Sequence, residues 1–371
     1  MSAVRPRVLC LSGYDAASHR RWRQTLASHL HAFEWHHCAL PPRYFRWRIR
    51  GNPLSWLDEP LLQQDWDLLL VTSMVDLAVL RGLHPGLALI PAVAYFHENQ
   101  FFYPEQAGRN PNAEPRVVNL YTALSADRVL FNSAWNRDSF LEGVRALRQQ
   151  VPDQKPAAPV EQLSRKSDVL PVPIEDRLFA ARPRDWSESP HLVWNHRWEY
   201  DKGPDRLLAL LRCLAEAGQP FRLSVVGEQF RSAPEAFGCI EREFAQSIVR
   251  WGHIAARDDY EALLAEADMV LSTALHDFQG LAVLEAMACG AVPVVPDRLA
   301  YPEYVPEPCR YTSCAGEPER EGRLAAERIL SLLAQERPEP AQFRPDDYRL
   351  ERLLPHYETV LLEACRAGRG A

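Results

Sequence analysis

Apolar residues along this chain fall in short continuous runs rather than in strict alternation: Val8–Ser12, Asp67–Thr72, Ala88–Tyr95 and Val129–Asn132, then Leu192–Asn195, Arg222–Gly227, Ile248–Gly252, Met269–Thr273 and Val292–Pro296. Amphipathic stretches of helical length separate them. Strands apolar on both faces are covered on both sides, and strands alternating with helices predict parallel, doubly wound sheets. The rhythm runs through both halves, so the expected fold class is α/β with two such units. Between the halves, Val151–Asp168 (VPDQKPAAPVEQLSRKSD) is proline-rich, polar and aperiodic, which predicts a surface loop. The boundary is expected in Pro173–Pro190, giving domains 1–175 and 176–348. A last amphipathic pattern at 349–366 is expected to be a helix that packs back on the first domain.

Length agrees with this division, since 371 residues exceed one ordinary core. No apolar run spans a bilayer, and the first residues read as a strand rather than a signal peptide, so a cytoplasmic protein with no membrane association is expected. Eight cysteines are scattered with no C-x-x-C pair, which points to reduced thiols and away from a disulfide framework or a zinc site. The formal charge of −7 is uneven, because residues 1–50 carry nine arginines against only Asp15 and Glu34. Such a basic segment suits an anionic partner or is a solvated basic face.

The segment with the most chemistry is Ser272–Glu285, STALHDFQGLAVLE, which follows an apolar strand. Gly280 sits where a helix should open, so the N–H groups of Leu281 and Ala282 are free to hold phosphate. Asp277 and Glu285, with seven residues between them, can reach two parts of one nucleotide-sugar; otherwise they are a loop aspartate and a surface glutamate. In Leu192–Asp205, LVWNHRWEYDKGPD, a strand, a polar turn with Asn195, and Gly203-Pro204 opening a helix place Arg197 and Lys202 at a strand's carboxyl end. Open α/β sheets bind ligands there. Two cations at that place can neutralise a departing diphosphate, and Lys202 is one of only three lysines against 39 arginines.

In the first half, Gly13, Ser18 and His19 lie in a small-residue turn after the first strand, able to let a ligand near the backbone. That turn lacks G-x-G-x-x-G, which argues against a dinucleotide dehydrogenase. After Ala88–Tyr95 comes His97-Glu98-Asn99-Gln100, followed by Tyr103-Pro104. His97 there can hydrogen-bond sugar hydroxyls or phosphate. Pro42–Gly51, read as a loop, interleaves Arg43, Arg46, Arg48 and Arg50 with Tyr44, Phe45 and Trp47, without an acid. That composition supplies phosphate contacts and stacking surfaces for exposed bases, extended by Arg20, Arg21 and Arg23; the plain alternative is buried aromatics with solvated arginines.

The Asp277–Glu285 segment resembles the two-acid motif of retaining family 4 glycosyltransferases, with aspartate where that family has glutamate. The resemblance implies a GT-B fold, two Rossmann-like domains facing a central cleft, with the first acid on the donor sugar, the second on the ribose and a basic pair matching Arg197 and Lys202. More narrowly, YFHENQFFYP, VLFNSAWNRDSFL, WNHRWEYDKGPD, WGHI, STALHDFQG and PDRLAYPEYVP resemble the tRNA-queuosine α-mannosyltransferases. That likeness implies a retaining hexosyltransferase moving mannose from GDP-mannose to the cyclopentenediol of queuosine in a tRNA anticodon. It further implies catalytic His97, Arg197, Lys202 and Asp277. Donor contacts would come from Gly13, Ser18, His19, Asn195, Gly280, Leu281, Ala282 and Glu285, and acceptor contacts from Arg43, Tyr44, Arg46, Trp47, Arg48, Arg50, Glu98 and Asn99. Queuosine-containing tRNA and a nucleotide-sugar are the expected partners, with no cofactor, metal or obligate protein partner. A related transferase with a lipid or small-molecule acceptor, and an inactive RNA-binding protein, are the competing readings.

Overall fold

The structure, a computed structural model, describes residues 5–102, 113–154, 159–180, 185–230 and 233–369. Tyr103 and Pro104 lie outside the described residues. The chain divides into two compact units, Met1–Pro173 with Glu351–Ala371, and Ile174–Leu350.

In the first unit the strands are β1 (Arg7–Ser12), β2 (Glu34–Ala39), β3 (Leu68–Thr72), β4 (Ala92–Phe96), β5 (Arg128–Phe131) and β6 (Ser167–Val169). The helices are α1 (Ala17–His29), α2 (Phe45–Ser55), α3 (Leu77–Leu83), α4 (Glu114–Ser125), α5 (Ala134–Gln150) and α6 (Pro159–Arg165). In the second unit they are β7 (His191–Trp194), β8 (Arg222–Val226), β9 (Ile248–Gly252), β10 (Met269–Leu271), β11 (Val292–Pro296) and β12 (Arg310–Tyr311). Its helices are α7 (Pro204–Glu216), α8 (Glu235–Glu243), α9 (Arg257–Glu266), α10 (Leu281–Ala288) and α11 (Pro318–Leu333), and α12 (Leu350–Arg369) then returns to the first unit.

Each unit holds one six-stranded sheet among the described residues, in the orders β2-β1-β3-β4-β5-β6 and β12-β11-β10-β7-β8-β9. All neighbours pair in parallel. Central strands β3, β4, β7 and β11 are buried throughout, as the apolar runs require. The strands absent from the hydrophobic pattern are edges: β2 reads EWHHCA, β6 is three residues long and β12 two. An edge strand needs apolar cover on fewer sides, so its sequence carries no buried run.

Two expectations need correction. The segment Val151–Asp168 is not one surface loop, because Pro159–Arg165 is helical with Leu163 buried, and Ser167 begins an edge strand. Nor is Pro42–Gly51 a loop beyond Tyr44, because α2 begins at Phe45 and buries Ile49, Gly51, Asn52 and Pro53. The arginines interrupted the apolar pattern on which a helix would have been recognised.

The strand order reverses between β1 and β3, and between β10 and β7. At such a switch point the flanking loops leave in opposite directions and open a crevice at the carboxyl ends of the strands.

Candidate functional site

In the second unit, the loops after β7 and β10 are stitched together by backbone. Leu275 and His276 donate their N–H groups to the Asp201 carbonyl at 2.8 and 3.2 Å. Thr273 Oγ1 donates to the Lys202 carbonyl at 2.8 Å. Gly203, at φ +66°, passes so near that a Cβ there would lie 2.2 Å from the Thr273 carbonyl oxygen. This weave turns Lys202 inward. Its Nζ donates to the His276 carbonyl at 2.6 Å and lies 3.6 Å from the carboxylates of both Asp201 and Asp277.

Asp277 is bound on both oxygens. The Gly280 N–H donates to Oδ1 at 3.0 Å and the Tyr301 hydroxyl to Oδ2 at 3.4 Å. Burial opposes its ionisation, but the charge of Lys202 and the Gly280 N–H hold its carboxyl below the usual 3.8. Burial, reinforced by the Lys202 charge, pushes His196 and His276 down to about 4, so both rings are neutral near pH 7. Lysine and aspartate therefore supply the fixed charge here.

Gly280 adopts φ +78° and opens α10, where a Cβ would lie 2.4 Å from the buried Tyr304 hydroxyl. The amino end of α10 at Leu281 and Ala282 follows directly, beside Asp277. One turn further, Glu285 is buried against Arg257 Nη2 at 2.9 Å, and Arg257 Nε also reaches Glu261 at 2.5 Å. Asn195, at the end of β7, donates Nδ2 to the Tyr260 hydroxyl and the Ala282 carbonyl, each at 2.9 Å. Arg197 shares the loop of Lys202 but not its setting: it is half-exposed and pairs with Glu199 at 2.9 Å.

In the first unit the corresponding cluster is histidine-rich. His97 follows β4 and is buried in an aromatic cage, with the His19 ring at 4.1 Å, Tyr95 at 4.7 Å and the edge of Trp22 at 4.8 Å. Burial, then the neighbouring His19 charge, hold His97 well below 6.5, so it is neutral. Its buried Nε2 has no hydrogen-bond partner among the described residues. His19 is the opposite case. Burial disfavours its cation, but Glu98, 3.1 Å from Nε2, and the Tyr14 carbonyl, 2.9 Å from Nδ1, raise it above 6.5. Glu98 also accepts from Ser73 Oγ at 3.2 Å. Tyr357 of α12 closes the cage from behind, its hydroxyl accepting from Trp22 Nε1 at 3.1 Å and donating to the Pro171 carbonyl at 2.9 Å.

Some expected site residues serve the scaffold instead. Asn99 is wholly buried, donating to the Asn136 carbonyl and Oδ1 and to Ser139 Oγ, and accepting from the N–H groups of Phe101 and Phe102, so both ends of its amide are engaged by the scaffold. Gly13 is needed because a Cβ would meet the Met74 carbonyl at 2.8 Å, so the close approach is made by β3's turn. Ser18 is half-buried in the first turn of α1. Arg20 and Arg23 both clamp the buried Asp15 carboxylate, at 3.1 and 2.8 Å, Arg20 staying half-exposed and Arg23 mostly covered.

The patch proper is α2. Tyr44 and Trp47 are exposed, 72% and 54%. Arg43 lies over the Tyr44 ring, Arg48 donates to Ser55 at 3.1 Å and Arg50 pairs with Asp76 at 2.7 Å. Arg43 and Arg46 have no carboxylate partner among the described residues. Asn52 bolts this helix to the turn after β3, donating to the Met74 carbonyl at 3.0 Å and accepting from the Asp76 N–H at 3.1 Å. Ser73, the neighbour of Met74, holds Glu98, so one turn supports both the basic helix and the histidine cluster.

Arg257 and Tyr260 escaped the sequence reading, and Tyr301 and Tyr304 were given no role in it. Arg257 and Tyr260 sit in a helix-length polar pattern whose partner face no periodicity reveals. Tyr301 and Tyr304 lay in the quoted segment PDRLAYPEYVP, whose resemblance carried them without assigning either a contact.

Comparison with known proteins agrees with this geometry. Residues 7–174 match the family described as tRNA-queuosine alpha-mannosyltransferase N-terminal, and residues 183–346 match Glycosyl transferases group 1. A tRNA-queuosine alpha-mannosyltransferase of Drosophila melanogaster is 33% identical over 84% of this chain and 85% of its own length. A GDP-mannose-dependent alpha-(1-6)-phosphatidylinositol dimannoside mannosyltransferase of Mycobacterium tuberculosis is 27% identical over 45% of this chain and 49% of its own. Among solved structures, sucrose-phosphate synthase from Thermosynechococcus elongatus superposes with TM-score 0.70 at 14% identity, covering 98% of this chain and 100% of that one. The N-terminal domain of Candida albicans trehalose-6-phosphate phosphatase gives 0.72 at 12% identity, covering 98% of both chains. These structural likenesses make the fold GT-B, and the sequence comparisons show that the chain belongs to the tRNA-queuosine alpha-mannosyltransferase family.

Proposed function

We propose that this protein transfers mannose from GDP-mannose to the cyclopentenediol of queuosine in a tRNA anticodon, with retention at the anomeric carbon. The observation that carries this reading is buried Lys202, held by Asp277 and the His276 carbonyl beside the amino end of α10. A fixed cation and free helix N–H groups in a low-dielectric setting suit a leaving diphosphate, whose charge grows in the transition state.

In this reaction the acceptor hydroxyl oxygen bonds to the anomeric carbon as the bond from that carbon to the diphosphate oxygen breaks. The hydroxyl proton passes to a diphosphate oxygen on the same face of the sugar. Lys202 and Arg197 hold the negative charge that the leaving group gains, which is work a metal ion does in other transferases. Glu285, fixed by Arg257, receives the ribose hydroxyls, and neutral His97 offers a hydrogen bond to the sugar without a competing charge. Asp277 shapes the loop that carries the helix opening, since both its oxygens are engaged by Gly280 and Tyr301. Arg43, which precedes α2, and Arg46 of its first turn contact tRNA phosphates.

Mass spectrometry of nucleosides from queuosine-containing tRNA, incubated with the protein and either GDP-mannose or a UDP-sugar, tests the reading. A hexose mass on queuosine with GDP-mannose alone is expected. No added mass with any donor would overturn it, and addition to a lipid extract instead would reassign the acceptor.

A further inference from the structure

The exposed aromatics of α2 are seated, not merely left outside. Tyr44, Trp47 and Leu54 are exposed and recur at helical spacing on one side of the helix, opposite the buried Ile49, Asn52 and Pro53, and Gly51 is buried on the exposed residues' side. The indole of Trp47 lies flat against Gly51, where a Cβ would fall 2.5 Å from its ring and 2.8 Å from two further ring atoms. One side of the indole is thus supported by helix backbone, while 54% of the residue stays exposed. At the helix start, Tyr44 holds φ +57° and ψ +50° although it is not glycine, and no side chain caps the helix. A left-handed tyrosine is strained, and strain that displays a ring at 72% exposure is the kind retained for a contact. Arg43 stacks over the Tyr44 ring, and Arg46 stands between the two aromatics without a carboxylate partner among the described residues.

We infer that Trp47, backed by Gly51, is a stacking platform for an unpaired nucleobase of the RNA loop, with Tyr44 as its companion and Arg43 and Arg46 on the adjoining phosphates. This rests on the tRNA reading above and goes further, because it assigns Gly51 a role and commits α2 to single-stranded RNA. A duplex hides its base faces, whereas every unstacked base offers one.

Gly51→Ala separates this role from folding. Alanine is better than glycine inside a helix, so backbone propensity favours the variant, and thermal unfolding checks that the fold is kept. The three atoms nearest the new methyl group all belong to the Trp47 indole, which must shift, and the charge is unchanged. Binding of the full chain to two probes, an anticodon stem–loop RNA and a blunt RNA duplex of the same stem, is measured across a salt series. Gly51→Ala and Trp47→Ala are expected to weaken stem–loop binding about 5- to 100-fold, the worth of a lost base stack, with an unchanged salt slope and unchanged duplex binding. Arg46→Ala should lower the slope for both probes by about one. Wild-type binding of the stem–loop by Gly51→Ala and Trp47→Ala, alongside a normal response to Arg46→Ala, overturns the platform and leaves the tRNA reading intact. If the wild-type protein binds neither RNA, both fall.

Discussion

The two units handle charge in opposite ways. In the second, Lys202, Asp277, Glu285 and Arg257 are turned inward and bound to one another or to backbone. In the first, Arg43, just before α2, and Arg46, in its first turn, stand in solvent beside exposed rings. The contrast fits two kinds of anion. A diphosphate leaving group is small and changes charge during reaction, so the groups that stabilise it gain most by being prearranged away from water. A polynucleotide is long and uniformly charged, and solvated cations bind it by releasing its counterions.

The largest effect should come from Lys202→Ala. Turnover measured by hexose transfer is expected to fall about 10²- to 10³-fold, the usual cost of one electrostatic group at a developing charge. Near-normal turnover would break the comparison at its strongest point. Arg257→Ala should follow, because it leaves the buried Glu285 carboxylate without its cation. A loss of about 1–3 kcal/mol in unfolding free energy, with weaker GDP binding by calorimetry, is expected. Replacing Arg43 and Arg46 together by alanine is the matched change on the other unit. Stability should stay within about 0.5 kcal/mol of wild type, while the salt slope of tRNA binding drops by about two. If the arginine pair destabilised the fold as much as Arg257→Ala, the distinction between inward and outward charge would fail.

The smallest effect concerns the His19–Glu98 pair, which like Asp15 with Arg23 is a place where the first unit also turns charge inward. His19 is raised above 6.5 in the folded protein. Its contribution to stability is therefore complete below 6.5 and is lost as pH rises through the raised value. Glu98→Gln should consequently cost most stability in mildly acid buffer and least in alkaline buffer, read by thermal unfolding along a pH series. A penalty independent of pH would mean that Glu98 acts by packing rather than by charge.

Much of this was legible from residue order. Strands β3, β4, β7 and β11 announce themselves because a central parallel strand must be apolar on both faces. Gly280 and Gly203-Pro204 mark helix openings by local rules, and the spacing of Asp277 and Glu285 is visible directly. Edge strands β2, β6 and β12 were silent because one side of each lacks a neighbour to cover. α2 was misread because its arginines and aromatics follow exposure to solvent rather than core packing. Asn99 looked like a site residue because adjacency to His97 and Glu98 cannot distinguish a side chain facing outward from one serving α5.

The chain order by itself determined the class of fold, the strand runs and the identity of the reactive side chains, because periodicity and helix-opening rules act over a few residues. Only tertiary structure decided which of those side chains are charged, buried or free. Asp277 keeps its charge through Lys202, His97 is neutral because rings enclose it, and Arg20 and Arg23 are consumed by Asp15. The reason is that burial and pairing depend on groups brought together from distant positions, as Tyr357 behind the His97 cage makes plain, and electrostatic free energy is set by those neighbours rather than by the residue type.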